Sequence, residues 1–276
     1  MTRICINKGV IILLMSLSAC SQMSKVQRSK DYEYKLNVAE NYFAKKKYGK
    51  AQELFEEILP VFKNTTQYED IYYKYAYCFY NTEDYMNAEN LFKTFVEMFP
   101  SSKKAEEVEY MRAYAYYKQS PRTELEQTNT MKTIALMQAF INTHSNSARI
   151  AEATQIMDIC RNKLEEKEYK AAILYFHLGR YKAAAVTLNN LFVDFPGSPK
   201  GQEYKLLAIK AYYEYAQNSI MERQIERYNQ VLTECSDFEE QFATSTFVQE
   251  VKQLRNKAQN NINNLQNEQT KKATGV

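Results

Sequence analysis

The sequence predicts an all-α protein, a superhelical solenoid of five helical hairpins closed by a C-terminal capping helix. Three observations carry that prediction. Helix breakers are scarce, with only 6 Gly and 5 Pro in 276 residues, too few for a chain built of turns and strands. Apolar residues recur at spacings of three and four, as one buried helix face requires. The stretch Tyr181 to Pro196, YKAAAVTLNNLFVDFP, also repeats in register elsewhere. Tyr181, Ala184, Leu188, Leu191, Phe192 and Pro196 are matched by Tyr85, Ala88, Phe92, Phe95, Val96 and Pro100, and by Tyr48, Ala51, Phe55, Ile58 and Leu59. The small residue lets a neighbouring helix approach, the bulky ones form the stripe, and the proline stops the helix.

The first two copies lie 37 residues apart, near the roughly 34 of a tetratricopeptide-type hairpin repeat. Repeat one runs from about Tyr32 to Asn64, with Ala39 and Tyr42 at its packing positions and a second helix from Ala51 to Phe62 whose last turn Pro60 interrupts. Repeat two runs from about Glu69 to Ser102, with Ala76 and Phe79 in the same places. Repeat three begins near Glu106, with Ala113 and Tyr116, and its second helix spans Met131 to Asn142, ending in Ser145-Asn146-Ser147 where the others have a proline. An insertion of 8 residues lies around Gln119 to Thr130, a functional loop or a neutral one. Ile150 to Lys167 is one amphipathic pattern running into repeat four, Ala172 to Pro196. Repeat five starts near Gly201, its second helix spans Glu222 to Cys235, and Phe247 to Leu265 caps the end.

The two ends read differently. Residues 1–19 form a signal segment: Arg3 and Lys8 are followed by an apolar run from Gly9 to Leu17, too short to span a bilayer. Leu17-Ser18-Ala19-Cys20 looks like a bacterial lipobox, with Cys20 the lipidated residue, and acyl chains there would hold the protein to a membrane. Residues 20–31 read as a flexible lipidated tether, 32–147 as the N-terminal repeats one to three, 148–265 as the C-terminal repeats four and five with the cap, and 266–276 as a disordered tail. No acidic run follows Cys20, which by resemblance to lipoprotein sorting rules places the protein on the periplasmic face of the outer membrane.

Composition narrows the function. A mean hydropathy of -0.57 excludes a polytopic membrane protein. Loss of residues 1–19 removes Arg3 and Lys8 and no acidic residue, leaving 34 basic against 33 acidic side chains, so there is no electrostatic footprint for nucleic acid. Cys78, Cys160 and Cys235 are far apart and odd in number, which suits buried thiols rather than disulfides or a metal site. The two His residues, and the absence of any nucleophile elbow, zinc motif or phosphate loop, point away from catalysis and from any cofactor. Carboxylate pairs such as Glu56-Glu57 and Glu165-Glu166 read as solvated helix faces.

A surface remains. The chain has 23 Tyr and no Trp, and the repeat register turns Tyr73, Tyr77, Tyr80, Tyr110, Tyr114 and Tyr117 of the first helices towards a concave groove. Tyrosine offers a large apolar face and a hydroxyl at low entropy cost, as a peptide-binding wall needs. Asp70, Asn81, Glu107 and Lys118 would supply polar contacts nearby. The same tyrosines could instead pack helix on helix, and a shift of one residue exchanges the two roles.

At Arg161 to Ser198 the chain resembles the BamD (YfiO/ComL) lipoproteins, here of Bacteroidetes type. The match rests on Asn162-Lys163-Leu164, Glu168-Tyr169, Ala172, Tyr175-Phe176, Gly179, Tyr181, Ala183-Ala184, Phe195-Pro196 and Ser198. Glu109 to Ala113, EYMRA, resembles the opening of the family's third repeat. Leu188 or its neighbour stands where the family has an arginine, the third repeat lacks its proline, and the C-terminal helix and tail look longer. The resemblance implies a scaffold of the β-barrel assembly (BAM) machinery. Its C-terminal repeats would bind the barrel subunit BamA, with Arg161, Glu165, Glu168, Tyr212 and Tyr213 as partner-facing residues, alongside other BAM lipoproteins. Its N-terminal repeats would bind the aromatic-ended targeting segments of unfolded outer-membrane proteins. The alternatives are another periplasmic repeat lipoprotein, a partner of the Tol-Pal system or of peptidoglycan enzymes, and a hydrolase.

Overall fold

The computed structural model describes residues 23–274; the signal segment and Cys20 lie outside the described residues. Every regular element among these is a helix. A short helix over residues 23–28, α1, precedes five hairpins. They are α2 (Tyr32–Ala44) with α3 (Tyr48–Phe62), α4 (Tyr68–Asn81) with α5 (Tyr85–Met98), α6 (Ala105–Lys118) with α7 (Thr128–Thr143), α8 (Ile150–His177) with α9 (Tyr181–Asp194), and α10 (Gly201–Gln217) with α11 (Met221–Gln241). The final helix is α12 (Val248–Thr274). The helices form two compact units, one ending at Cys160 and one beginning at Arg161. That division falls inside α8 rather than at the 147/148 boundary read from the repeats.

The small residues of the repeat register lie in the core. Ala39, Ala51, Ala76, Ala88 and Ala113 in the first unit are fully buried, as are Ala172, Ala184, Ala208 and Ala211 in the second. The bulky stripe residues, Phe55, Ile58, Phe92 and Phe95 in the first and Leu188 and Leu191 in the second, are buried beside them. In the first unit one cluster lies between α1 and α4, and another joins α4 to α7 with Ala153, Ile156, Met157 and Cys160 of α8. In the second, α10, α11 and α12 share Leu206, Ile209, Val231, Phe238 and Val251.

Two turns recur. In the first, within a hairpin, a left-handed residue closes the leading helix: Lys46 (φ 56), Glu83 (φ 64) and Gly179 (φ 69). At each, the next amide reaches back five residues, Lys47 N–H to Tyr42 O (2.8 Å), Asp84 N–H to Phe79 O (3.0 Å) and Arg180 N–H to Tyr175 O (2.8 Å). This is the Schellman arrangement, and only Gly179 adopts it without backbone strain. In the second, between hairpins, Phe99, His144, Phe195 and Phe242 end the second helices with ψ between 45 and 64. Three residues on, Ser102, Ser147, Ser198 and Ser245 donate their amides back to those carbonyls. Repeat three makes this turn without a proline. Pro60 leaves α3 continuous to Phe62.

Both termini differ from expectation. Met23 and Val26 of the supposed tether are buried against α2 and α3. The buried Lys35 ties that segment down by donating to Gln27 O (2.8 Å) and pairing with Glu57. Two apolar side chains three apart suffice for one helical turn to stick. The polar tail, expected to be disordered, continues α12 through Thr274. It contains no Gly or Pro before that point, and a helix already nucleated by packing propagates cheaply into such residues. The inserted loop is closed on itself: buried Gln127 donates to Arg122 O (2.8 Å) and Leu125 O (3.0 Å) and accepts from Thr130 (2.6 Å).

Candidate functional site

Tyr73, Tyr77 and Tyr80 lie at i, i+4 and i+7 of α4, and Tyr110, Tyr114 and Tyr117 repeat that spacing on α6, so each set forms one stripe. The structure joins the stripes into a ladder. Ring centroids are 4.7 Å apart for Tyr73–Tyr77, 6.3 Å for Tyr77–Tyr80, 6.3 Å for Tyr80–Tyr114, 5.8 Å for Tyr110–Tyr114 and 5.6 Å for Tyr114–Tyr117. Its inner side rests on α5, with Tyr77 against Phe92 (5.2 Å) and Tyr73 against Phe95 (6.0 Å). Five of the six rings are half-buried, so packing against α5 and an open face coexist. Tyr110 departs from the groove expectation: it is 2% exposed and packs on Phe140 (5.6 Å). The Arg149 guanidinium lies 4.6 Å from its ring centre.

Charged groups hold the ladder in place. Glu107 of α6 accepts from both Tyr73 (3.1 Å) and Tyr77 (2.7 Å) of α4. Lys104 sits 4.7 Å from the Tyr73 ring centre and donates to Asp70 (2.5 Å). Lys74 bridges Asp70 and Glu40 (2.6 Å each). Burial works to raise the Asp70 carboxyl, but the bonds from Lys104 and Lys74 outweigh it and hold it below the ordinary carboxylate value. Burial, then the Glu107 bond, drives the Tyr77 phenol far up. Tyr80 is pushed up to about 12, by burial first and then by neighbouring Tyr114, Tyr85 and Glu152. Burial and next Glu152 also raise Tyr110, although its hydroxyl meets no partner by hydrogen-bond geometry. These phenols are neutral donors at ordinary pH. Lys118 lies 5.6 Å from the Tyr114 ring centre, while Asn81 bonds the Tyr77 carbonyl of its own helix (2.7 Å).

The residues of the second unit expected to face a partner differ in their surroundings. Arg161 and Glu168 are exposed on α8. Glu165 is engaged internally, accepting from Ser198 and from Tyr204 (2.5 Å). Tyr213 packs on Tyr228 (5.6 Å) and accepts from Asn261 (3.1 Å), and Tyr212 is half-buried against Ala184, Ala185 and Ala211. Glu165 is not a solvated face residue.

That engagement belongs to a device the repeat register does not reveal. Ser102, Ser147 and Ser198 each accept the amide two residues on (3.0, 3.1 and 3.1 Å), tightening the turn that leads into the next helix. Each also donates to a glutamate of the preceding first helix, Glu69, Glu106 and Glu165. The basic residue two positions on, Lys104, Arg149 or Lys200, lies over the tyrosine four after that glutamate, Tyr73, Tyr110 or Tyr169 (4.7, 4.6 and 5.5 Å). Paired signals, Glu-x-x-x-Tyr and then Ser-x-Lys/Arg one repeat later, would have exposed it.

Cys78, Cys160 and Cys235 are free and buried, and burial pushes the Cys78 and Cys235 thiols up to about 12. No group of His, Cys, Asp and Glu among the described residues could hold a metal.

Solved structures with a similar helical arrangement include the TPR2AB domain of yeast Sti1 in complex with pHSP90. It is 14% identical, covers 83% of this chain and 98% of its own, and has a TM-score of 0.41. Another is the Rap conjugation gene regulator of plasmid pLS20 in complex with the Phr* peptide, 11% identical over 94% of this chain and 86% of its own, with a TM-score of 0.35. No curated protein matches the sequence. The model of the YfiO outer membrane lipoproteins matches residues 30–199, a span that contains the whole tyrosine ladder and all three copies of the serine–glutamate clasp. The chain therefore belongs to the YfiO family of outer membrane lipoproteins.

Proposed function

We propose that this protein is a non-catalytic scaffold of the β-barrel outer-membrane protein assembly machinery. Anchored through lipidated Cys20 on the periplasmic face of the outer membrane, it binds a BamA-like barrel subunit through its C-terminal repeats. Its N-terminal repeats take the aromatic-ended targeting segments of unfolded outer-membrane proteins. The observation that carries this reading is the ladder running from α4 to α6 inside the family match. Glu107 fixes two of its hydroxyls in advance, so an incoming chain finds an ordered wall and little side-chain entropy is lost on binding. Half-buried rings give an extended peptide apolar area, and the Lys118 ammonium beside Tyr114 suits a terminal carboxylate.

Two measurements test it. The full-length lipoprotein in mild detergent should co-purify with a large outer-membrane barrel protein; a tagged preparation without one rejects the assembly role. Binding of a barrel protein's C-terminal peptide should weaken about tenfold or more in Tyr77→Ala/Tyr114→Ala, as loss of two aromatic anchors implies, with helicity by circular dichroism retained. Unchanged affinity places the peptide site elsewhere.

A further inference from the structure

A hollow in the second unit lies apart from the residues expected to face a partner. A cavity of about 640 Å³ opens at the α8–α9 turn, walled by Tyr175, Arg180, Tyr181, Lys182, Val186 and Tyr215. Beside it a hollow of about 510 Å³ shares Lys182 and Tyr215 and adds Arg223, Glu226 and Arg227 from α11. Gly179 makes the turn with φ 69, and a Cβ there would meet no atom within 4 Å, so the entrance stays open.

The two hollows differ in chemistry. The first is mainly aromatic and aliphatic, and its walls are wet: Tyr175 is 40% and Val186 42% exposed. The second is cationic. Across both, Arg180, Lys182, Arg223 and Arg227 face one carboxylate, Glu226. Glu226 is paired with Arg223 (2.8 Å). Arg227 is held over the Tyr215 ring, 4.0 Å from its centre, and donates to the Ser219 hydroxyl. Arg180 and Lys182 are exposed, and neither forms an ion pair with a carboxylate among the described residues. An apolar slot beside an excess of positive charge recognises an apolar side chain flanked by acidic ones.

We propose that this double hollow docks an acidic segment of a partner protein, with an aromatic or large aliphatic side chain seated among Tyr175, Val186 and Tyr215 and its carboxylates on Arg180, Lys182 and Arg223. An open double hollow in which tyrosine and valine faces adjoin four cations suits one short chain segment. A flat anionic lipid surface would reach neither the slot nor Arg227 folded over Tyr215. The proposal rests on the scaffold reading only in that the occupant is a protein, and it assigns the C-terminal contact to residues other than those the sequence suggested.

The test titrates the full-length lipoprotein in neutral detergent with a fluorescent twelve-residue peptide of Glu and Asp around one Phe. Two companion peptides carry Gln and Asn for the acids, or Ser for the Phe. The acidic Phe peptide should bind, more weakly as salt rises, and each companion should bind at least about tenfold more weakly, the loss expected for one good anchor or charge pair. Arg180→Glu/Lys182→Glu, both exposed, should lose the peptide while keeping its circular dichroism and its binding of a barrel C-terminal peptide. Equal binding of the acid-free peptide, or full binding by the reversal variant, overturns the proposal. So does displacement of the peptide by soluble short-chain phosphatidylglycerol at equal concentration, which assigns the cations to lipid. A barrel protein missing from the co-purification while the acidic peptide still binds rejects the assembly role and leaves this site standing.

Discussion

The three left-handed turn residues form an internally controlled experiment. Lys46, Glu83 and Gly179 occupy the same position of the same turn, with φ of 56, 64 and 69, yet only one is glycine. A side chain in that conformation costs about 1–2 kcal/mol, and glycine gives back about 0.5–1 kcal/mol through its freer unfolded backbone. Lys46→Gly and Glu83→Gly should therefore each stabilise by about 0.5–1 kcal/mol, and Gly179→Ala should destabilise by a similar amount. Gly179→Ala isolates strain, because the added Cβ meets nothing within 4 Å. Glu83→Ala, which keeps a Cβ at φ 64, should be near neutral. Urea unfolding followed by circular dichroism reads all four, with the first unit's transition responding to Lys46 and Glu83 and the second's to Gly179. A destabilised Glu83→Gly, or a Gly179→Ala indistinguishable from wild type, refutes the assignment of strain to these turns.

Two further outcomes follow from the clasp and the phenols. Ser198→Ala removes both the acceptor of the Lys200 N–H and the donor to Glu165, so the second unit should lose about 1–2 kcal/mol; an unchanged urea midpoint would show the clasp to be idle. Burial, followed by charges such as Glu56 at Tyr75 and Tyr114 at Tyr80, pushes both phenols up to about 12. A folded-state value above the ordinary one of about 10 means stability fully present below pH 10 and lost as pH climbs towards 12. The melting temperature should fall over that window together with the rise of tyrosinate absorbance, and a flat profile would mean the rings are solvated.

The repeat register was legible because hairpin packing forces small residues where helices cross and bulky ones beside them: Ala39, Ala76, Ala88 and Ala184 were found by spacing and are fully buried. Repeat three obeys the same rule with Ser147 and no proline, since its closing bond is made by backbone and by the serine hydroxyl. The tyrosine stripe was legible as a stripe, but its depth was not. Tyr110 and Tyr114 sit four apart on one face, and only the position of Arg149 and Phe140 makes the first buried and the second half-open. Glu165 read as solvent-facing by helix phase, yet Ser198 and Tyr204 approach it from residues 33 and 39 positions away. Helix phase carries no information about such partners.

By itself, then, the amino-acid order determined the helices, their pairing and their small-on-large contacts, because these are short-range consequences of period and breaker placement. The tertiary structure alone decided which tyrosines stay half-open, which carboxylates are engaged inside, that residues 23–28 dock through Met23 and Val26, and that cations from α9 and α11 gather beside an apolar slot. Those outcomes depend on side chains that meet across whole repeats, at separations over which no local pattern constrains them.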